Sequence, residues 1–500
     1  MALFEKLMPG LKIRYLVVAF SGLVFALLTW KIMTLEFRYL LAVSGGILVV
    51  SLAMMAIYNI ESFLVYAFVF NIPFSIYGKW MFAQHIAMPA RGISIGLVEL
   101  LIFISYTVWF ARIFIARKES LPGLRKIDWL ILLLIISQFI SLIGAPDRVL
   151  GTFDIIYNIK HILIYFFIAH KVRRHHLKWI IALMLFAIVL ESPLALYERV
   201  TGNVGIGSTK GSVQSADFGT QGAVPGVEDE IRAAGTTLDP HALGLYYSMI
   251  LPVPFVFILM KFLRPSLKIV LSGILLLGIG GLVVTFSRSG WLSFALSSAF
   301  ALGAIVFSWK QGKALVIAAA LVLAMMPFYP SAYKIIDAKL FNAPRSLMDV
   351  RIDSARTALG IWSDNLFFGY GPGNYLEALN DPDVMVLGHE GPMADRPVHN
   401  AFLWTAAELG LFGVVAFFGI ILVAMKRCYS VLKCEDPLIR GLALAILTGL
   451  LAYLLDGVTN MMFRESTPYA QFWVYTGLAV ALKRIWDEGS PANRVEARSA

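Results

Sequence analysis

Apolar runs long enough to cross a lipid bilayer, roughly 17 to 25 residues each, recur along almost the whole of this chain. They dictate its fold class. A spanning segment must satisfy its own backbone hydrogen bonds in lipid, so each run reads as a helix. About fourteen can be counted, near residues 15–33, 37–58, 62–78, 93–115, 127–144, 155–170, 178–197, 241–262, 267–286, 290–309, 313–329, 399–425, 438–457 and 467–486. With 59% hydrophobic and 15% charged residues, the chain carries too much apolar surface for a water-soluble core of its length. It reads as an all-α integral membrane protein.

The basic residues orient these helices, because cytoplasmic loops retain Lys and Arg. With the N-terminus placed in the cytoplasm, the clusters Arg112/Arg117/Lys118/Arg125/Lys126, Lys171/Arg173/Arg174/Lys178, Lys261/Arg264/Lys268, Lys426/Arg427/Lys433/Arg440 and Lys483/Arg484 all fall on that side. Both termini then face the cytoplasm. The expected organisation is N-terminal transmembrane helices (1–197), an outer loop (198–240), helices carrying an arginine turn (241–329), a large periplasmic or extracellular loop (330–398), C-terminal transmembrane helices (399–486) and a cytoplasmic tail (487–500). Charge on the two long outer loops escapes the orientation rule, so function is sought there.

The net charge of +10 reflects this topology. No soluble segment carries a basic stripe interleaved with aromatics, so nucleic acid is excluded as a partner. The first apolar stretch has no small-residue cleavage site after it and reads as an uncleaved signal anchor. Cys428 and Cys434 share an expected cytoplasmic loop, spaced too widely for a CxxC pair, and imply neither a disulfide nor a zinc site. Internal repeats are absent, and the polar end after Glu488 reads as a disordered tail.

Between the ninth and tenth expected spans lies TFSRSGW, residues 285–291, a turn too short to leave the membrane interface. Ser287, Ser289 and Gly290 suit a helix start, whose free N–H groups attract anions, and the Arg288 guanidinium matches phosphate oxygens two at a time. A diphosphate clamp is one reading; an arginine snorkelling to lipid phosphates is the other.

In the large outer loop, LMDVRIDSARTALGIW (347–362) places Ile352, Ala355, Leu359 and Trp362 on one face at helical spacing. It reads as an amphipathic helix resting on the bundle. Arg351 and Arg356 flank the stripe on opposite edges, so only one of them is expected to face a pocket. The following FFGYGPGNY (367–375) has glycines at 369, 371 and 373 that permit a tight turn or a close approach to a ligand, and its Asn374 breaks any GxGxxG pattern.

The segment Asp395–Gly413, DRPVHNAFLWTAAELGLFG, runs a polar head with Arg396, His399 and Asn400 straight into an apolar helix. His399 is thereby set where water meets lipid, and an imidazole there is able to take a proton near neutral pH. It is either a general base or a hydrogen-bonded interface residue. His389, Glu390, Asp395 and His399 are ligand types, but HExxH would need a histidine where Met393 stands, so no metal is assigned.

In order and spacing, Arg288, Arg351, the GYGPGN turn, the His399/Asn400 pair and Glu408/Gly410 resemble the C-terminal signature of the O-antigen ligase and O-antigen polymerase superfamily, over roughly residues 230–425. RAAGTTLDPHALG (232–244) is similar to the family's earlier R-x-x-G element, with His241 where the family usually has Asn. The resemblance implies a GT-C-like bundle with two extended outer loops. It also implies an inverting, metal-independent glycosyltransferase in the bacterial inner (plasma) membrane, with no cofactor. The donor would be a glycan on undecaprenyl diphosphate, and the acceptor a glycan, lipid or protein hydroxyl at the outer face. Arg288 and Arg351 would take the diphosphate and His399 the acceptor proton. Arg232, Arg356, Arg396, Asn400, Gly371, Gly373 and Glu408 would line the site, Glu408 as a supporting residue at a break near Gly410.

The competing class is a transporter or flippase, because Glu99, Lys160, His161, Glu191 and Asp456 fall in or beside expected spans. A transporter should gather such groups near the midplane, whereas the arginine and histidine motifs converge at a surface. An inactive structural membrane partner is the third class. Ligase and polymerase share a donor and are not separated by these residues.

Overall fold

The computed structural model describes residues 60–74, 77–82, 92–117, 119–120, 122–201, 223–224, 227–237, 239–309, 345–384, 398–461 and 465–489. The chain divides into residues 1–63 and 64–500; of the first unit, only 60–63 are described, as the start of a helix. The expected spans at 15–33, 37–58 and 313–329 lie outside the described residues.

Helices dominate, in the order α1 (Ile60–Asn71), α2 (Leu97–Phe110), α3 (Lys126–Gly144), α4 (Arg148–Lys171), α5 (Leu177–Thr201), α6 (Pro240–Ile250), α7 (Pro252–Leu259), α8 (Pro265–Val284), α9 (Arg288–Trp309), α10 (Arg345–Asp364), α11 (Tyr375–Leu379), α12 (Ala401–Val431), α13 (Pro437–Asp456) and α14 (Ser466–Gly489). Two short antiparallel hairpins interrupt them, β1 (Tyr77–Phe82) with β2 (Gly92–Gly96), and β3 (Ala223–Val224) with β4 (Val227–Ile231).

Among the described residues, eight helical segments are long and apolar enough to cross a membrane: Leu97–Ile115, Lys126–Gly144, Arg148–Lys171, Arg174–Thr201, Pro240–Leu259, Pro265–Val284, Ala401–Val431 and Pro437–Asp456. The expected span at 62–78 is corrected. Its helix ends at Asn71, ahead of Pro73, and Tyr77 already lies in a strand. The expected span at 93–115 likewise begins as strand, through Gly96. Residues 290–309 and 467–486 are helical, as α9 and α14, but stand outside the eight. The reason for α14 is its position. It is buried along one continuous stretch from Thr467 to Leu482, against α4, α12, α13 and α6, so Gln471, Tyr475 and Thr476 face protein.

The remaining helices surround it. α12 packs on α3, α8 on α5, and α9 on α13 and α6, while α10 lies against α12. One end of this arrangement is basic. There Arg484 at the end of α14 donates to the Val172 carbonyl at 2.6 Å, Arg174 pairs with Asp436 at 2.5 Å, and Lys171 pairs with Glu119 at 2.5 Å. The opposite end joins the α3–α4 turn, the α8–α9 turn, the loop around Gly373 and the start of α12. Asn374 bonds Asp147, Ala233 bonds Val284, and Ala401 bonds Gly457. Every described sequence motif lies at this second end.

Cys428 lies within α12, and both cysteines are buried free thiols.

Candidate functional site

The site end is built on glycine contacts. A Cβ on Gly290 would stand 2.9 Å from the Gly244 carbonyl oxygen, and one on Gly244 would stand 2.5 Å from the Ser287 Cβ. Only glycine lets α6 and α9 approach so closely, and the approach brings their first turns together. Asp239 caps α6 by accepting from the amides of His241 (2.7 Å) and Ala242 (2.9 Å). Arg288 opens α9 after a turn in which Phe286 takes a left-handed φ of 50°.

Arg232 reaches the same place from the chain ahead of α6. Its Nε donates to the Thr285 carbonyl at 3.0 Å, and its Nη1 and Nη2 each lie 3.2 Å from His241 Nε2. The turn behind it is fixed from α5. Glu198 accepts from the amides of Ala234 (3.0 Å) and Gly235 (2.8 Å), and Glu191 accepts from the Thr236 amide at 2.7 Å and hydroxyl at 2.9 Å. Burial lowers the Arg232 pKa, the nearby Asp239 raises it, and the charge of Arg288 lowers it again.

Arg351 comes from α10. Burial lowers its pKa, and the charge of Arg288 adds to the shift, although the residue as a whole is exposed. Arg288 thus stands within electrostatic reach of both Arg232 and Arg351. Three guanidinium groups from widely separated segments share one end of the bundle.

The two edges of α10 have different surroundings. Thr357, Ala358 and Ile361 are buried against α11 and α12, with Tyr375, Val398, Trp404 and Ala407 in the same core. Arg351 lies two helical turns before Ala358 and therefore on that face. Arg356 lies on the opposite side, exposed and paired with Asp353 at 3.4 Å. The expected apolar stripe is corrected in part here: Ala355 packs against the same core, but Ile352 and Leu359 are 44% and 45% exposed. The sequence offers two apolar lines on this helix, and the smaller residues were the ones able to dock closely.

His399 is half-buried at the head of α12, immediately before the capping residue Asn400. The Asn400 carboxamide oxygen accepts from the amides of Phe402 (2.9 Å) and Leu403 (3.0 Å), while its nitrogen donates to the Val458 carbonyl at 3.0 Å. This side chain therefore fixes the backbone that carries His399. The turn after α13 extends the connection, because Asn460 donates to Ser289 Oγ at 3.3 Å, beside Arg288. Asp456 is buried at the end of α13, four residues before Asn460.

Residues 253–418 match the family model described as O-antigen ligase. The matched stretch runs from α7 into α12 and contains Arg288, Arg351, the glycine turn, His399 and Glu408. It supports a likeness to the O-antigen ligase and polymerase superfamily. No curated protein matches the chain. Arg232 and His241 precede the matched segment in sequence and meet it in space.

Within the matched segment, the glycines of the GYGPGN turn approach protein. A Cβ on Gly371 (φ 132°) would stand 2.6 Å from that of Ala145, and one on Gly373 (φ 69°) would stand 3.2 Å from that of Asp154. Asn374 locks this contact by accepting from the Asp147 amide at 2.9 Å and donating to the Asp147 carbonyl at 3.1 Å. Glu408 is fully buried, and after burial its charge contributes to a raised Tyr375 pKa. The helix breaks two residues later at Gly410 (φ 63°, ψ −163°). Arg396, with His389, Glu390 and Asp395, lies outside the described residues.

Sequence reasoning missed Glu198, Asn460 and the Ala145–Asp147 turn. No spacing rule links them to the motifs. Four of the intramembrane groups that suggested transport have protein partners. Glu99 pairs with Lys160 at 2.6 Å, His161 Nδ1 lies 2.7 Å from the Tyr157 carbonyl, and Glu191 holds the turn at Thr236.

Proposed function

We propose that this chain is a bacterial membrane glycosyltransferase of the O-antigen ligase or polymerase type. Its donor is a glycan carried on undecaprenyl diphosphate, and its acceptor is a hydroxyl on a glycan, lipid or protein. The observation that carries the reading is that Arg232 donates to the Thr285 carbonyl at 3.0 Å, three residues before Arg288 at the head of α9, and that the Arg288 charge lowers the pKa of both Arg232 and Arg351. Like charges brought together at a cost in repulsion make a site suited to a polyanion, and a diphosphate satisfies several guanidinium groups at once.

The chemistry follows from that arrangement. The acceptor oxygen attacks the anomeric carbon from the face opposite the diphosphate, its proton passes to His399, and the bond from that carbon to the phosphate oxygen breaks. Configuration inverts, and the negative charge that develops on the departing diphosphate is met by Arg288, Arg351 and Arg232. Arginines supply the charge compensation that a divalent ion supplies elsewhere. Glu408 supports the break in α12. The basic clusters occupy the other end of the bundle, which by the charge rule faces the cytoplasm of a plasma membrane and turns the site outward.

Purified protein supplied with a lipid-diphosphate oligosaccharide and a panel of acceptors tests the reading. Arg288→Lys is expected to cost on the order of 3 kcal/mol in the barrier, and His399→Ala about 10² to 10⁴ in rate. Unchanged turnover in both folded variants removes the assignment. Chain extension marks a polymerase, and a single transfer marks a ligase.

A further inference from the structure

The fork of Arg232 closes on the ring of His241. Both terminal guanidinium nitrogens lie 3.2 Å from Nε2, and the third nitrogen is held by the Thr285 carbonyl at 3.0 Å. A guanidinium only donates, so Nε2 is the bare acceptor and the ring proton resides on Nδ1. The contact therefore requires a neutral imidazole. We propose that His241 is a positioning residue whose neutral ring holds Arg232 in the anion-binding cluster, and that protonation of this ring releases the guanidinium. The proposal rests on the reading of that cluster as the diphosphate site.

The fork is fixed from two directions. Thr285 takes one donor and His241 takes two of the five available, which leaves about two for a ligand. The ring itself is set by the start of α6, where Pro240 pre-forms the first turn and Asp239 accepts from the His241 amide at 2.7 Å. Protonation of Nε2 would replace an accepted hydrogen bond by two facing cations. The charges that act on Arg232 are Asp239 at the cap of α6 and Arg288 at the head of α9, and Glu191 and Glu198 of α5 hold the 234–236 backbone that follows it. Arg288 opposes a further positive charge here, while Asp239 offsets part of it. The proposed part of His399 lies in the chemical step, so a change there is read in kcat, whereas a change at His241 is read in donor binding.

The experiment measures KM for a lipid-diphosphate donor and kcat separately, from about pH 8 to about pH 6, in the full-length protein and three variants. His241→Gln keeps an acceptor near the Nε2 position and does not titrate. His241→Leu removes the acceptor, and His241→Lys puts a cation there. Leu and Lys are expected to raise donor KM roughly tenfold to a hundredfold with little change in kcat, and Gln to restore it to within about threefold. In the unsubstituted protein donor KM should climb as pH falls, while in His241→Gln it should stay level and keep the same kcat limb. The comparison of those two profiles does not depend on whether the Leu or Lys protein folds. A Leu variant with unchanged KM, a Gln variant as impaired as Leu, or parallel KM profiles overturns the proposal. If the unsubstituted protein transfers no glycan from any diphosphate-linked donor, the functional reading fails; if it transfers and the three variants match it, only the role of His241 does.

Discussion

The backbone amide of Tyr370 donates to the carbonyl of Ala407 at 2.8 Å, which fastens the glycine turn to the place where α12 breaks. Gly371 repeats the contact with the Glu408 carbonyl at 3.1 Å, and Leu411 returns it to the Leu366 carbonyl at 2.8 Å. A helix interrupted in an apolar setting leaves amides and carbonyls without intrahelical partners, and here the loop supplies them. The break is consequently a docking edge, and it sets α10, with Arg351, beside the head of α12, with His399.

Gly410→Ala should dismantle that edge. A Cβ there would fall 2.4 Å from the Phe367 carbonyl carbon, and one on Gly369 would fall 2.3 Å from that of Glu408. Both residues have left-handed φ, 63° and 72°. Strain and collision together should cost about 3 kcal/mol or more. Thermal unfolding in detergent should show a lowered midpoint, and glycan transfer should fall. A variant with wild-type midpoint and turnover would show that the loop does not depend on this pairing.

Asn400 separates capping from the contact made by its amide nitrogen. Asn400→Ala removes the acceptor for the Phe402 and Leu403 amides and should cost about 1 kcal/mol, with transfer reduced through displacement of His399. Asn400→Ser restores a capping oxygen without the carboxamide nitrogen. Recovery of stability and most activity in the serine variant identifies a cap; recovery of stability alone would show that transfer also needs the amide nitrogen, which donates to the Val458 carbonyl.

Much of this architecture was legible in the sequence because hydropathy is a local property. Spans such as α3, α4, α8 and α13 are written in consecutive residues, and caps such as Asp239 and Asn400 stand directly before the helices they start. The motif arginines and His399 were visible as polar residues at apolar boundaries. What stayed hidden depends on distant pairing. Asn374 looked like a flaw in a glycine pattern, yet its amide bonds Asp147, 227 positions away. Gly371 and Gly373 suggested approach to a ligand, and their open side is filled by Ala145 and Asp154 instead. The stripe on α10 failed in part, for a different reason. An amphipathic helix beside a bilayer has two apolar environments to choose between, so periodicity alone does not tell which face meets protein.

Asp239 gives a pH-dependent prediction. Burial raises its pKa above the ordinary 3.8, against the lowering effects of the Ala242 amide, Arg232 and the His241 amide. The folded protein therefore holds this proton to a higher pH than the unfolded chain does. As pH rises from 3.8 through the folded value, the unfolded state ionises first, and the contribution of Asp239 to stability declines. Asp239→Asn keeps the capping oxygen and lacks the titration. Its stability relative to the unsubstituted protein should rise across that window and then level off, as read from unfolding midpoints over a pH series. A difference that is flat, or that slopes the other way, contradicts the assignment.

Glu198 offers the sharpest separation of acceptor from charge. Its carboxylate takes the amides of Ala234 and Gly235 at 3.0 and 2.8 Å, and those amides lie in the buried turn that follows Arg232. Glu198→Leu would strand both donors, and at about 1 to 3 kcal/mol for each stranded group the turn should loosen. Arg232 would lose its anchorage, so donor KM should increase along with the loss of stability. Glu198→Gln retains an oxygen in the same place and should hold the turn without the charge. If Gln behaves like the unsubstituted protein and Leu does not, the residue acts as a backbone acceptor. If Gln fails as completely as Leu, the negative charge itself is required, and Glu198 then serves to balance the arginine cluster.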